Sequence, residues 1–282
     1  SHVNNYKLVL LERGGLAEYI TGQEIGLTYR QNKDIRTVFQ VQNQLLWPVM
    51  FFRKHNYFIN DLIVFNDVLL EKRINELDCL NKNIVEPRDA SFIYKEGSYD
   101  IKKELEGNKV NKEQLSALIS NYIMALKTEL NLEKENCYYK PRFTIHDKKT
   151  LMTRDTLNKY VSAKIKYKFE NRYELVDGNV ISRWLIVDDN LDVKINKKAI
   201  NDYIKWLANK YDTVGITREF KTSTGKTVKV EGGLYGWKIN QKAEAEALIK
   251  NIMQADKIEK EPIYEQKAIS RGEVDYGNTY IE

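Results

Sequence analysis

The chain has 282 residues, 42% of them hydrophobic and 30% charged, with 45 Lys+Arg against 40 Asp+Glu and a formal net charge of +5. The two signs are interspersed, without the one-sided basic concentration of a nucleic-acid binder, and no run approaches the roughly 18 apolar residues of a membrane span. With 4 Pro and 14 Gly beside 18 Tyr, 9 Phe and 4 Trp, disorder and collagen-like structure are excluded.

Ser1-His2 reads as the remnant of a removed tag, and nothing after it resembles a signal peptide. A strand is predicted over Tyr6–Leu11, followed by Gly22 and Ile25, and a helix around Ile35–Leu46. The longest apolar cluster, Leu45-Leu46-Trp47-Pro48-Val49-Met50-Phe51-Phe52, stops at Arg53-Lys54 and is a core or patch segment. Asn66 is placed to cap a helix with Leu70, Ile74 and Leu77 on one face. Ser91–Tyr94 and Tyr99–Ile101 flank the turn Lys95-Glu96-Gly97-Ser98 as a hairpin. A second helical pattern opens after Gly107 and runs through Leu115, Leu118, Ile119, Tyr122, Ile123 and Met124. Pro141 and the polar stretch 146–150 mark a boundary, and Leu151–Ala163 reads as a helix.

From there the pattern repeats. A strand over Ile165–Phe169 precedes Gly178 and Ile181, and Asn196 precedes Ile200, Ile204 and Leu207. Thr217–Thr222 and Thr227–Val230 flank Ser223-Thr224-Gly225-Lys226, and a last helix runs through Ala243, Ala247, Leu248, Ile252 and Met253. The helices correspond at offsets of 130 (Leu70 with Ile200) and 129 (Ile119 with Leu248), the entering strands at 156 (Ile25 with Ile181). The larger offset places about 26 extra residues in the first copy, within 30–60. The expected fold is α+β: two repeated units, each with antiparallel strands or a hairpin and two amphipathic helices. The units span 3–147 and 148–269, and 270–282 is a linker with the first strand of a further domain.

Metal binding is excluded on pattern: His55 and His146 have no ligand-spaced His or Cys neighbour. No cofactor motif is present. Val230-Glu231-Gly232-Gly233-Leu234-Tyr235-Gly236-Trp237 fails the phosphate-loop and dinucleotide spacings. Its glycines permit either a tight strand-to-helix connection with Trp237 over the core, or a ligand stacked on Tyr235 and Trp237. Trp47, Trp184 and Trp206 sit in apolar-periodic segments and are expected in the core. Cys79 and Cys137 lack the His and turn context of a nucleophile. Both fall in the first unit, opposite Asn209 and approximately Pro262 in the second, so they form either a disulfide or two free buried thiols. Asp188-Asp189-Asn190 reads as a turn; a glycosidase would need two carboxylates converging in a cleft, from Asp188-Asp189 or Glu244 with Glu246.

Tyr211-Asp212-Thr213-Val214-Gly215-Ile216-Thr217-Arg218-Glu219-Phe220-Lys221-Thr222, followed by Gly232-Gly233-Leu234-Tyr235-Gly236-Trp237-Lys238-Ile239, closely resembles the peptidoglycan-binding repeat ahead of the catalytic domain in Gram-positive L,D-transpeptidases. The first unit resembles a divergent copy, with Glu86-Pro87-Arg88-Asp89-Ala90 opening its hairpin and Tyr139-Lys140-Pro141 closing it. The tail from Ser270 to Glu282 resembles the linker into the transpeptidase domain. The family's catalytic Ser-His-Gly-Cys is absent from this sequence, so Cys79 and Cys137 do not inherit that role.

The resemblance implies an extracytoplasmic, noncatalytic module at the cell wall or a membrane-anchored cell surface. It would bind or span peptidoglycan or another anionic wall polymer and position a covalently linked downstream L,D-transpeptidase. Tyr235, Trp237 and Arg218 are the candidate ligand contacts. A purely structural spacer without affinity and a wall-glycan hydrolase are the alternatives.

Overall fold

The computed structural model describes residues 5–29, 63–231 and 236–268. The expected helix at 35–46, the cluster holding Trp47, His55, Tyr235 with Gly232 and Gly233, and the tail 270–282 lie outside the described residues. The chain divides into two compact units, Ser1–Asp89 with Glu104–Arg142, and Ala90–Lys103 with Phe143–Glu282.

In the first unit, β1 (Lys7–Leu11) pairs antiparallel with β2 (Ala17–Thr21), and β3 (Thr28–Tyr29) with β4 (Ile63–Val64). Helix α1 (Asp67–Asn75) and the one-turn α2 (Asp78–Asn81) follow. The next hairpin, β5 (Ser91–Lys95) and β6 (Ser98–Lys102), groups with the other unit. Helix α3 (Lys112–Met124) then leads into β7 (Glu129–Asn131), which lies parallel to β1, giving the order β2-β1-β7. The alternation of β1 turns Leu8 and Leu10 inward. They join Leu70 and Ile74 of α1, Leu115, Ile119 and Ile123 of α3, and Leu130 of β7 in one core. Each such side chain contributes about 1.5–3 kcal/mol by leaving water.

The second unit opens with α4 (Lys148–Val161), β8 (Lys164–Phe169), β9 (Arg172–Val176) and the short α5 (Gly178–Ile181). Hairpin β10 (Leu185–Val187) and β11 (Val193–Ile195) precedes α6 (Lys197–Tyr211), and β12 (Arg218–Lys221) pairs with β13 (Thr227–Val230). Then come β14 (Lys238–Ile239), α7 (Gln241–Gln254), β15 (Lys257–Lys260) and β16 (Tyr264–Gln266). Strand β15 lies parallel to β8, so the order β15-β8-β9 repeats the first unit's sheet. Ile165 and Tyr167 of β8, Ile200, Ile204 and Leu207 of α6, and Leu248 and Ile252 of α7 are fully buried.

Local signals recur at the same places in both units. Asn66, Asn111, Asn196 and Asn240 all cap their helices, each side chain accepting an N–H from the first turn. Helices α3 and α7 both end on a non-glycine residue in the left-handed region, Leu126 (φ 52°) and Ala255 (φ 61°). Their reversals match bond for bond: Leu126 to Ile123 and Lys127 to Tyr122 in one, Ala255 to Ile252 and Asp256 to Asn251 in the other.

Two particulars differ from the sequence reading. The hairpin 91–102, expected inside a first unit of 3–147, groups by contact with the second. There Asn158 of α4 accepts the Tyr99 N–H at 2.6 Å and donates to the Tyr99 carbonyl at 3.0 Å. Trp184 is buried as expected, but Trp206 is 43% exposed. The buried stripe of α6 runs through Ile200, Ile204 and Leu207, and Trp206 lies off it, against the Tyr203 ring. Cys79 and Cys137 are free, buried thiols, one of the two alternatives that the sequence left open.

Candidate functional site

Trp237 sits just before β14, and the backbone there is unusually close. Gly236 has φ +139°, and a Cβ on it would stand 2.5 Å from the Thr213 carbonyl carbon and 2.6 Å from Val214 N. Only glycine fits, because the loop after α6 runs directly over it. Thr213 ties the two segments together. Its Oγ1 accepts the Trp237 N–H at 2.9 Å, and its own N–H donates to the Trp237 carbonyl at 2.9 Å. The described residues of this segment thus make a tight connection between the loop after α6 and β14.

Trp237 is half-buried rather than a core residue, and it borders a shallow cleft of about 90 Å³. The cleft is lined by Phe169, Glu170, Arg172, Tyr211, Thr213, Trp237 and Tyr264. Phe169 and Tyr211 stack with ring centroids 3.7 Å apart and planes 5° from parallel. Trp237 meets Tyr264 edge to face at 4.8 Å. The Arg172 guanidinium lies over the Tyr211 ring, its Cζ 4.9 Å from the centroid, while the residue stays exposed. Glu174 holds the Tyr211 end of the wall, accepting hydrogen bonds from the Tyr211 hydroxyl and from Lys210 Nζ at 2.7 Å. Burial alone would raise the Glu174 carboxyl, but these two donors outweigh it and hold the carboxyl below the usual range.

Arg218 is not among the lining residues. Its Nη2 donates to the Thr213 carbonyl at 2.9 Å and its Nη1 to the Ile216 carbonyl at 3.3 Å, which braces the loop above Gly236. Sequence reading reached Trp237 but did not place Phe169, Arg172, Tyr211 and Tyr264 at a site; they come from three other segments, and Tyr211 alone of them lies in the stretch that carries the family resemblance. A larger groove of about 410 Å³ between the first turns of α6 and α7 is lined by Lys197, Lys242 and Glu246 but no aromatic ring.

The remaining candidate chemistry resolves into structure. The Asp188 carboxylate accepts the Asn190 and Asp192 N–H groups and pairs with Lys194 at 2.7 Å, so it closes the β10–β11 turn. The Lys194 bond, chiefly, pulls its pKa down to about 2. Glu244 is fully buried on α7. It accepts from the Tyr167 hydroxyl (2.6 Å), from Lys260 Nζ (2.8 and 3.1 Å) and from the Ile263 N–H (2.6 Å), which leaves it no role in a cleft. Burial pushes the Cys137 thiol up to about 11 and raises Cys79 too, with Glu18 and Glu12 adding to the latter, so both stay neutral and inert. Among the described residues no group of His, Cys, Asp and Glu could hold a metal ion, and no helix is long and apolar enough to cross a membrane.

The family described as "Putative peptidoglycan binding domain" matches twice, at residues 20–131 and 143–259. A comparison with curated protein sequences finds no match. Among solved structures, the chain is similar to an Enterococcus faecium L,D-transpeptidase in a cysteine-to-serine mutant form. The two are 27% identical over 43% of this chain and 46% of that one, with a TM-score of 0.34. It is also similar to the Ldtfm–avibactam carbamoyl enzyme, 26% identical over 40% of this chain and 44% of that one, with a TM-score of 0.33. The matched region thus spans less than half the length of either protein.

Proposed function

From the chain's membership of the peptidoglycan-binding domain family, which the two matches establish, we propose that it is a noncatalytic, extracytoplasmic wall module that binds peptidoglycan and positions a covalently linked L,D-transpeptidase domain for crosslinking. The observation that carries the reading is that the two family matches fall on the two copies of the internal repeat. The module's place is then the cell wall or a membrane-anchored cell surface, and its partner is peptidoglycan or another anionic wall polymer.

The aromatic cleft of the second unit is the contact that the chemistry favours. The ring faces of Trp237 and Tyr264 suit the C–H surface of a sugar, and the exposed Arg172 suits a lactyl or stem-peptide carboxylate. Arg218 supports this site from behind, and Tyr235 stands two residues from Trp237 in the chain.

Co-sedimentation with purified sacculi stripped of teichoic acids, across a salt series, tests the reading. The chain should pellet at high salt, and Arg172→Ala should lower the bound fraction several-fold without changing Tm. Pelleting that needs teichoic acid and fades as salt screens beyond about 8 Å would mean charge adhesion instead. A spacer without affinity is the second reading, favoured by the cleft's 90 Å³ against the roughly 300–1,000 Å³ of ordinary ligand pockets. No pelleting at any salt would select it.

A further inference from the structure

The aromatic cleft of the second unit has a counterpart in the first, and there the chain fills it with its own side chain. Gly107 answers to Gly236: a Cβ on it would stand 2.7 Å from Pro87 N, again against the loop that follows a helix. Tyr138 bridges antiparallel to Val110 as Tyr264 pairs with Ile239. The neighbouring caps agree, since the Asn111 N–H donates to the Cys137 carbonyl and the Asn240 N–H to the Ile263 carbonyl. Arg13 opens the turn after β1 where Glu170 opens the turn after β8. The Arg13 guanidinium lies over the Tyr138 ring, its Cζ 4.4 Å from the centroid, and Nη1 donates to the Gly107 carbonyl at 2.5 Å. Glu133 accepts from its Nε at 2.7 Å and from Nη2 at 3.0 Å. The first unit thus seats a cation among an aromatic ring, a glycine carbonyl and a carboxylate.

The second unit keeps the ring and the glycine but replaces the occupant. Glu170 stands where Arg13 stands, and it lines the cleft together with Phe169, Tyr211, Trp237 and Tyr264. It is exposed and has no hydrogen-bond or ion-pair partner among the described residues. The turn that carries Glu133 is shortened as well: residues 132–137 link β7 to Tyr138, whereas 261–263 link β15 to Tyr264. Among the residues lining the cleft, the only carboxylate is therefore that of Glu170. Gln266 Nε2 donates to the Gly236 carbonyl at 3.2 Å, so this seat is made of rings and a carboxylate rather than of a carbonyl. Lys267 Nζ lies 5.7 Å from the Tyr264 centroid, at the edge of the range over which a ring face attracts a cation.

We propose that the cleft of the second unit takes the ammonium group of a ligand, with Glu170 as its counter-ion, in the place that Arg13 fills in the first unit. Electron-rich ring faces and an unpaired carboxylate together favour a cation over a neutral group. The inference deepens the peptidoglycan reading and rests on it for the ligand: the occupant is then an amine carried by the peptide stem. Arg172, exposed beside the Tyr211 ring, meets a carboxylate of the same stem. The first unit, closed by Arg13, takes no stem at this place, so one fragment binds per chain.

Two titrations followed at the Trp237 indole resonance test it, one with a disaccharide-peptide fragment whose stem amine is free and one with the same fragment acetylated at that amine. The chain should bind the free-amine fragment roughly tenfold more tightly. Glu170→Gln should erase that preference without changing Tm, since Glu170 is exposed and bonds nothing in the folded chain. Equal affinity for the two fragments would overturn the cation seat and leave binding at the cleft intact. If neither fragment binds, n-butylammonium against 1-butanol decides. Saturable shifts of Trp237 with the ammonium alone, removed by Glu170→Gln, would keep the cation seat and overturn the peptidoglycan reading. No shift with either small probe would then overturn both.

Discussion

The two units share a backbone plan but fill the same place in the core with opposite chemistry. In the first, Leu10 of β1 stands beside Leu130 of β7, and Leu115, four residues after the cap of α3, is buried in the same cluster. In the second, the same register sets Tyr167 beside Lys260, and Glu244 occupies the fourth position after the cap of α7. Three leucines are thus replaced by a hydroxyl, an ammonium and a carboxylate that bond to one another. The backbone geometry is the constant; whether the space is apolar or ionic is decided by three side chains acting together. A buried ion pair adds little net stability over an apolar set, yet loss of one member leaves the others uncompensated.

The largest effect expected from breaking this comparison is therefore on single members of the polar set. Glu244→Ala should cost about 3–5 kcal/mol, because the Tyr167 hydroxyl, Lys260 and the Ile263 N–H all lose their acceptor. The triple change Tyr167→Leu/Glu244→Leu/Lys260→Leu, which makes the second core like the first, should recover to within about 2 kcal/mol of the wild type in urea unfolding. A triple variant as unstable as the single one would show that the two cores are not interchangeable.

A smaller effect sharpens the comparison where the units are alike. Asn111 and Asn240 make the same cap bond at 3.0 Å, to Gln114 N and Ala243 N. Replacing either by Ala should cost about 1 kcal/mol. Costs that differ severalfold between the two would contradict their structural equivalence.

Caps of this kind mark part of what was legible in the chain. Apolar spacing located all four repeated helices, a preceding Asn (Asn66 and Asn196) marked two of them, and paired offsets revealed the repeat. The parallel strands β7 and β15 were not legible. Glu129–Asn131 has one buried residue, and Lys257–Lys260 reads as polar because Lys260 serves Glu244 rather than a core face. The seat of the 91–102 hairpin depends on Asn158 meeting Tyr99 across 59 residues, a pairing with no local signature. At the candidate site, Gly236 and Trp237 were conspicuous because their composition is unusual. Phe169, Arg172, Tyr211 and Tyr264 were hidden, because a cleft assembled from separate strand ends and a helix terminus leaves no spacing to read.

The smallest effect separates the units by pH. Glu12, just past the end of β1, has its pKa raised to about 7 by burial first and then by the neighbouring Glu18; the equivalent position after the same register in β8 is Phe169. A carboxyl with a raised folded pKa keeps its proton in the folded state after the unfolded chain has released it. Its contribution is full below about 4.5 and is lost as pH rises through about 7. Glu12→Gln should flatten that decline, raising the urea midpoint at pH 8 relative to wild type and changing it little at pH 4. Because Glu12 is only partly buried, the gain should stay under about 1 kcal/mol. An unchanged midpoint at pH 8 would place the pH dependence elsewhere.

The claim that the second unit's aromatic cleft contacts the wall polymer is tested most directly by titrating the isotope-labelled chain with a soluble disaccharide-peptide fragment of peptidoglycan and following amide and indole resonances. The account predicts saturable shifts of Trp237 and of neighbouring Thr213, Arg172 and Tyr264, with the exposed Trp206 unmoved. Shifts confined to other surfaces, or none at concentrations where sacculi pull the chain down, would contradict it.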